Sequence, residues 1–415
     1  MCKIGEYMEL FNVLTVKETS KVIDENFNYE MGGEDVTLAD AEGRILKHTI
    51  AAKDNVPDFK RSTVDGYAVY SKDTFGASES IQSILELKGE ILMGQEAKGE
   101  ISIPGQCYYV PTGGMLPKGA DSVIMIEYTE KLDETTILAS KSTSPGENVI
   151  EVGEDIKKGE TVIRKGTKLR AYEIGVLASL GFYNIEVYKR PVIGIISTGD
   201  EIVHPSESIK TGQIRDINTY MLNSLALDKG CSPVRYGLIK DEYELLKSTA
   251  EKALSECDIV LISGGSSVGK KDNTVKVIKE LEDSELLVHG ISVKPGKPTI
   301  IGKSKGKIIF GLPGHPLSCA VIFQVVVKYY IDKITEHKEI LYPIICKFKF
   351  NYHKAKGREE YLPVTIEEKD DEFSASPVFG KSGLITSFSK AYGYIRIERN
   401  EEGIKEGQTV KVYKF

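Results

Sequence analysis

One short loop carries the first chemical signal. Ser263, Gly264, Gly265, Ser266, Ser267 and Gly269 stand in the run SGGSSVG, directly after the apolar stretch DIVLI at 258–262. Small residues after a buried strand let successive backbone N–H groups converge on an anion, and a following helix start adds its own unpaired N–H groups. A second loop, VKPGKP at 293–298, sets Lys294 and Lys297 on either side of a Pro-Gly turn that Pro298 stiffens. Two ammonium groups so placed suit a small oxyanion. A third loop, GLPGHP at 311–316, puts Pro313 and Gly314 at the mouth of another apolar helical run that continues through Val327. Three such loops at strand ends read as one anion site.

Carboxylates accompany the loops. Asp272 follows SGGSSVG and can either cap the next helix or hold Mg²⁺ beside a phosphate. Asp241 has the same two readings, because Glu244 three residues on completes a capping-box pattern. Asp65 lies in an Asp-Gly dipeptide, Thr112 in PTGG and Glu201 at the end of STGDE. For these three a turn or strand-end role is the plain alternative to a place in the site. No Ser-His-Asp order or Cys-His pairing emerges, and His315 is given no role.

The elements that must position these groups follow from periodicity. From PVIGIISTGDE (191–201) the chain alternates strands and helices: a helix near 217–229 ending at Gly230, a strand at 234–239, a helix at 242–256, then DIVLI and a helix with Val275, Ile278 and Leu281 on one face. That alternation predicts a parallel sheet covered on both faces, with ligands at the carboxyl ends of its strands. Residues 51–144 read as a β-rich unit of short strands with Gly and Pro punctuation. LADAEGRIL (38–46) reads as an amphipathic helix ended at Gly43, and 171–180 as a helix closed by Gly181. The expected organisation is therefore α/β multidomain: 1–50 with 145–188 as a discontinuous first domain, 51–144 as a β-rich second, 189–335 as a central α/β/α third, and 336–415 as a β-rich C-terminal fourth. No internal repeat or low-complexity segment interrupts it.

A formal charge of −7 and a pI near 5.6 give no general surface for nucleic acid or membrane, so any anion site is built locally. The six cysteines include no C-x-x-C pair, which argues against zinc and a disulfide framework and for a reducing, cytoplasmic setting. No apolar run approaches the ~20 residues a membrane-spanning helix needs.

In order, STVDGYAV, PTGGMLPKGADSVIMIE, GENVIEVGEDIKKGE, STGDE, SGGSSVGKKDNT, VKPGKP and GLPGHPLS resemble the MoeA family, the molybdopterin molybdenumtransferases related to the E domain of gephyrin. The resemblance runs from about Leu38 to the C-terminus. It implies an elongated four-domain homodimer whose active site lies between the sheet domain of one subunit and the β-rich second domain of the other. It also implies a reaction in which adenylylated molybdopterin and molybdate give molybdenum cofactor and AMP with Mg²⁺, and transient contact with a molybdopterin adenylyltransferase. By position it assigns Asp65, Thr112, Asp155, Glu201, Asp241 and Asp272 to catalysis, with Asp241 and Asp272 on the metal. Lys294, Lys297, Pro298, Arg358 and Ser382 fall near the oxyanion. Three basic positions of the family pattern are lost, at Ile150, Gly290 and Pro363, with His289 beside the second. Two alternatives stay open on that ground: a tungstate-preferring paralogue, and a scaffold or sensor that binds molybdopterin without turning it over.

Overall fold

The computed structural model describes residues 13–264, 273–380 and 383–415. Its central domain holds six strands, β1 (Val192–Thr198), β2 (Ser232–Ile239), β3 (Ile259–Ser263), β4 (Ser284–His289), β5 (Ile300–Ser304) and β6 (Lys307–Leu312). They lie in the order β2-β1-β3-β6-β5-β4. Helices α1 (Asn218–Asp228), α2 (Tyr243–Glu256), α3 (Asn273–Glu280) and α4 (Pro316–Ile322) cover the sheet. Side-chain alternation explains both layers. Ile193, Ile195, Ile259 and Leu261 pack into the core shared with α1 and α4, whereas Ile196, Val260 and Ile262 face the core shared with α2 and α3.

The sheet is not parallel throughout. β2, β1, β3 and β6 run parallel, but β5 is antiparallel to β6 and β4 to β5. The reason is local: Lys305 and Gly306, both at positive φ (50° and 77°), form the two-residue turn that joins β5 to β6 as a hairpin. The apolar run after α4 also outlasts its expected end at Val327. It passes through a π turn at Phe323–Val327 into a further helix, Lys328–Ile334.

Distant pieces of the N-terminal half share one core. Gly33–Thr37 pairs antiparallel with Asn184–Tyr188 and Ile50–Ala51 with Thr161–Ile163, burying Leu46, Ile50, Ile163, Leu177 and Val187 together. The helix expected at 38–46 is only a 3₁₀ turn, Leu38–Asp40. Beyond it the backbone donors of Gly43 and Leu46 are taken by the carbonyls of Leu169 (2.8 Å) and Thr167 (2.9 Å), so no α-helix can continue.

Residues 66–139 form a six-stranded sheet in which Gly66–Val69 lies between Gln106–Val110 and Ser122–Met125. Asp65-Gly66 is therefore not a hairpin turn. Gly66 is needed for close approach, because a Cβ there would stand 1.9 Å from the carbonyl oxygen of Ile124. The C-terminal domain is built on a third six-stranded sheet, which Val293–Lys294 of the VKPGKP loop joins as a strand parallel to Glu359–Lys369. Within 336–415, expected to be β-rich, Ile385–Lys390 forms a short helix. Cys107, Cys231, Cys257, Cys319 and Cys346 are buried free thiols. Among the described residues, no helix is long and apolar enough to cross a membrane.

Candidate functional site

A cavity of about 760 Å³ opens at the carboxyl ends of β1, β3 and β6. All three loops singled out in the sequence reach it, through Ser263 and Gly264, Pro298, and Pro313, Gly314 and His315. Glu201 and Asp241 stand on its wall, as does Gly383 from the C-terminal domain. Gly264 fits only as glycine: its φ is +110°, and a Cβ would lie 2.2 Å from the carbonyl oxygen of Thr198 on the neighbouring strand. Asp241 is held from two sides. Its N–H donates to Asp200 Oδ1 at 3.1 Å, and its Oδ1 accepts from Asn273 Nδ2 at 3.1 Å, which docks the start of α3 against the loop after β2.

Two residues of the cavity carry no loop signature and were missed in the sequence. Asp216 is buried, and its Oδ1 accepts from Thr219 N–H (3.1 Å) and Ser197 Oγ (3.3 Å). Asn218 is buried too, its Nδ2 donating to Ser263 Oγ (2.7 Å) and to the carbonyl of Gly314 (2.8 Å). One amide thus ties the loop after β3 to the loop after β6. The signal that could have found them is RDIN at 215–218, polar residues immediately before an apolar helix. Next to Ser263, burial pushes the Cys319 thiol up to about 12, so it stays protonated and serves packing.

The remaining expected residues lie elsewhere. Asp65 and Thr112 meet each other: Asp65 Oδ1 accepts from the Thr112 N–H (2.7 Å) and hydroxyl (3.1 Å), and both are exposed. Asp155 and Lys297 are exposed, and neither lines the cavity. Lys294 turns to the C-terminal domain, where it pairs with Glu360 at 2.9 Å. Arg358 is exposed one residue before Glu359, the register partner of Val293, which brings it beside the VKPGKP loop. Gly265, Ser266, Ser267, Gly269, Asp272 and Ser382 fall outside the described residues. Two of the three departures from the basic pattern have a local setting. Gly290 has φ +106°, where a lysine would be strained, and Ile150 stands in register with Arg61, a cation on the adjacent strand.

Electrostatically the described lining is acidic, with Glu201, Asp216 and Asp241 against the single guanidinium of Arg215. Arg215 is itself spent on the carbonyls of Pro205 (3.0 Å) and Glu207 (3.3 Å). No cage of three or more metal-ligating side chains forms among the described residues. Hard carboxylate oxygens in a roomy cavity nevertheless fit Mg²⁺, which binds through one or two carboxylates plus water and substrate phosphates.

An open α/β sheet with a carboxylate-rimmed cavity at its strand ends, in one chain with two β-rich sheets, defines a multidomain α/β protein that binds its ligand at the strand ends. The chain belongs to the MoeA family. Residues 14–181 match the model of the MoeA N-terminal region (domain I and II), residues 194–333 that of the "Probable molybdopterin binding domain", and residues 346–415 that of the MoeA C-terminal region (domain IV). The molybdopterin molybdenumtransferase of Haemophilus influenzae is 31% identical, covering 97% of this chain and 99% of its own. That of Bacillus subtilis is 30% identical, over 91% and 88%. The crystal structure of a molybdopterin biosynthesis MoeA protein from Pyrococcus horikoshii superposes with a TM-score of 0.85 at 32% identity, covering 97% of this chain and 100% of that one.

Proposed function

We propose that this chain is a molybdopterin molybdenumtransferase of molybdenum cofactor biosynthesis. It takes adenylylated molybdopterin and molybdate and releases molybdenum cofactor and AMP. It works in the cytoplasm as a homodimer and meets a molybdopterin adenylyltransferase transiently. The observation that carries this reading is the carboxylate-rimmed cavity at the ends of β1, β3 and β6, within the segment matched to molybdopterin-binding domains.

Cleavage of the phosphoanhydride adds water across the P–O–P bridge, leaving AMP and the phosphate of molybdopterin. Asp241 and Asp272 hold Mg²⁺, which when bound neutralises charge on the phosphate oxygens. The backbone amides of SGGSSVG hold the terminal phosphate. The carboxylates of the site orient the attacking water and accept its proton. Dimerisation sets the Asp65–Thr112 pair of a second copy against the cavity. Lys297, Arg358 and Ser382 present molybdate, with Lys294 contributing less because its ammonium already faces Glu360.

Single-turnover AMP release from adenylylated molybdopterin with Mg²⁺, molybdate in one arm and tungstate in the other, tests the proposal. Release promoted by an oxyanion, with active cofactor formed, supports it and names the preferred metal. Tight binding without AMP release would overturn the enzymatic reading. Normal release by Asp272→Asn would remove that residue from the metal.

A further inference from the structure

The floor of the cavity has polar atoms without partners among the described residues. Asn218 is only 7% exposed, and the carbonyl of Gly314 can only accept, so the carboxamide nitrogen must face it. This fixes the flip and leaves Asn218 Oδ1 buried with no partner among the described residues. Thr198 Oγ1, also lining the cavity, is buried and unpartnered as well. Asp216 spends Oδ1 on Thr219 and Ser197, and no donor among the described residues reaches its Oδ2. Ser197 and Ser263, which brace Asp216 and Asn218 respectively, are register partners on β1 and β3. Strands in a sheet lie about 4.8 Å apart, so the two free acceptors share one end of it.

Asp216 Oδ2 and Asn218 Oδ1 can only accept, so they disfavour phosphate or any oxyanion, which would bring negative charge against a carboxylate and leave both acceptors unpaired. They suit a ring edge carrying adjacent N–H donors. A pterin has that edge: the 2-amino group and N3–H point the same way, and a carboxylate can take both in charge-assisted bonds. We propose that Asp216 Oδ2 and Asn218 Oδ1 form the specificity cradle for the aminopyrimidinone edge of the pterin, which directs the phosphate-bearing end toward Asp241 and Glu201. This rests on the reading of the cavity as a molybdopterin site.

The chain contains no tryptophan, so the intrinsic fluorescence of a bound pterin can be followed against a low background. The probes are 6-methylpterin and 6-methyllumazine, which differ in whether position 2 carries an amino group or an oxygen. The native protein should bind 6-methylpterin at least about tenfold more tightly. Asp216→Asn keeps an Oδ1 for Thr219 and Ser197 but removes the charge, and should erase that preference. Equal affinity of the native protein for the two rings would overturn the cradle, whether or not the variant folds. If the native protein also releases AMP from adenylylated molybdopterin, the proposed function survives that result. Absence of both ring binding and turnover would overturn both.

Discussion

Lys294 places its ammonium 2.9 Å from Oε1 of Glu360, a carboxylate whose side chain is 4% exposed. Tyr352 donates to the same oxygen at 2.6 Å, and Oε2 is buried with no partner among the described residues. The lysine of the α/β domain thus supplies the charge that lets the C-terminal domain bury an acid. Lys294→Ala should destabilise the protein by about 1–2 kcal/mol. That is less than the roughly 3–5 kcal/mol typical of a fully buried pair, because Lys294 is 55% exposed. Glu360→Gln in the same chain should recover most of the loss. Urea unfolding of the two variants and their combination measures it; an unchanged midpoint in Lys294→Ala would instead free this ammonium to hold an oxyanion.

Gly264 is a second junction where sequence leaves no choice. With φ at +110° and the Thr198 carbonyl 2.2 Å from any Cβ, Gly264→Ala forces β1 and the loop after β3 apart. We expect a loss of about 2 kcal/mol or more in unfolding free energy, together with weaker 6-methylpterin binding. Wild-type stability in this variant would show that the loop rearranges at little cost.

Much of this was legible because it is periodic. The alternation from Val192 onward, with β-branched runs ending in Gly-rich loops, specifies the layered sheet and brings Ser263, Pro298 and Gly314 to one cavity. What escaped depends on contacts between distant residues. Asp216 and Asn218 look like ordinary helix-start residues until Ser197, Ser263 and Gly314 are folded around them. The segment 38–46 has helical spacing, but its backbone is claimed by residues 167–169, a tertiary partner that propensity cannot see. Asp-Gly at 65–66 has the dipeptide of a turn, yet Gly66 answers to the carbonyl of Ile124.

The Asp65–Thr112 pair separates charge from geometry. Asp65→Asn retains an oxygen for both bonds from Thr112, so unfolding should be nearly unchanged. Under the proposed function its turnover should fall about 100-fold or more, within the range for a lost proton-transfer or orienting group. AMP release at the native rate would reduce Asp65 to a brace for the PTGG loop.

Glu339 lies between Lys229 (2.8 Å) and Lys328 (2.5 Å), joining the segment after the Lys328–Ile334 helix to the α/β domain. Burial pushes its carboxyl up, but the hydrogen bonds and charges of the two lysines outweigh it and hold it at about 2, below the usual 4.5. A depressed carboxyl stabilises the fold above its unfolded value, and that contribution is lost as pH falls from about 4.5 toward 2. Asp332 behaves oppositely: burial, the largest influence, raises it, so its ionisation costs stability and protonation in acid relieves that cost. The stability gap between the native protein and Glu339→Gln should therefore be widest near pH 7 and shrink toward pH 3. Asp332→Asn should gain most at neutral pH and lose that advantage in acid. Urea unfolding at pH 7, 5 and 3 reads both trends, and a Glu339→Gln gap that stays constant across them would mean that packing, not charge, holds this segment.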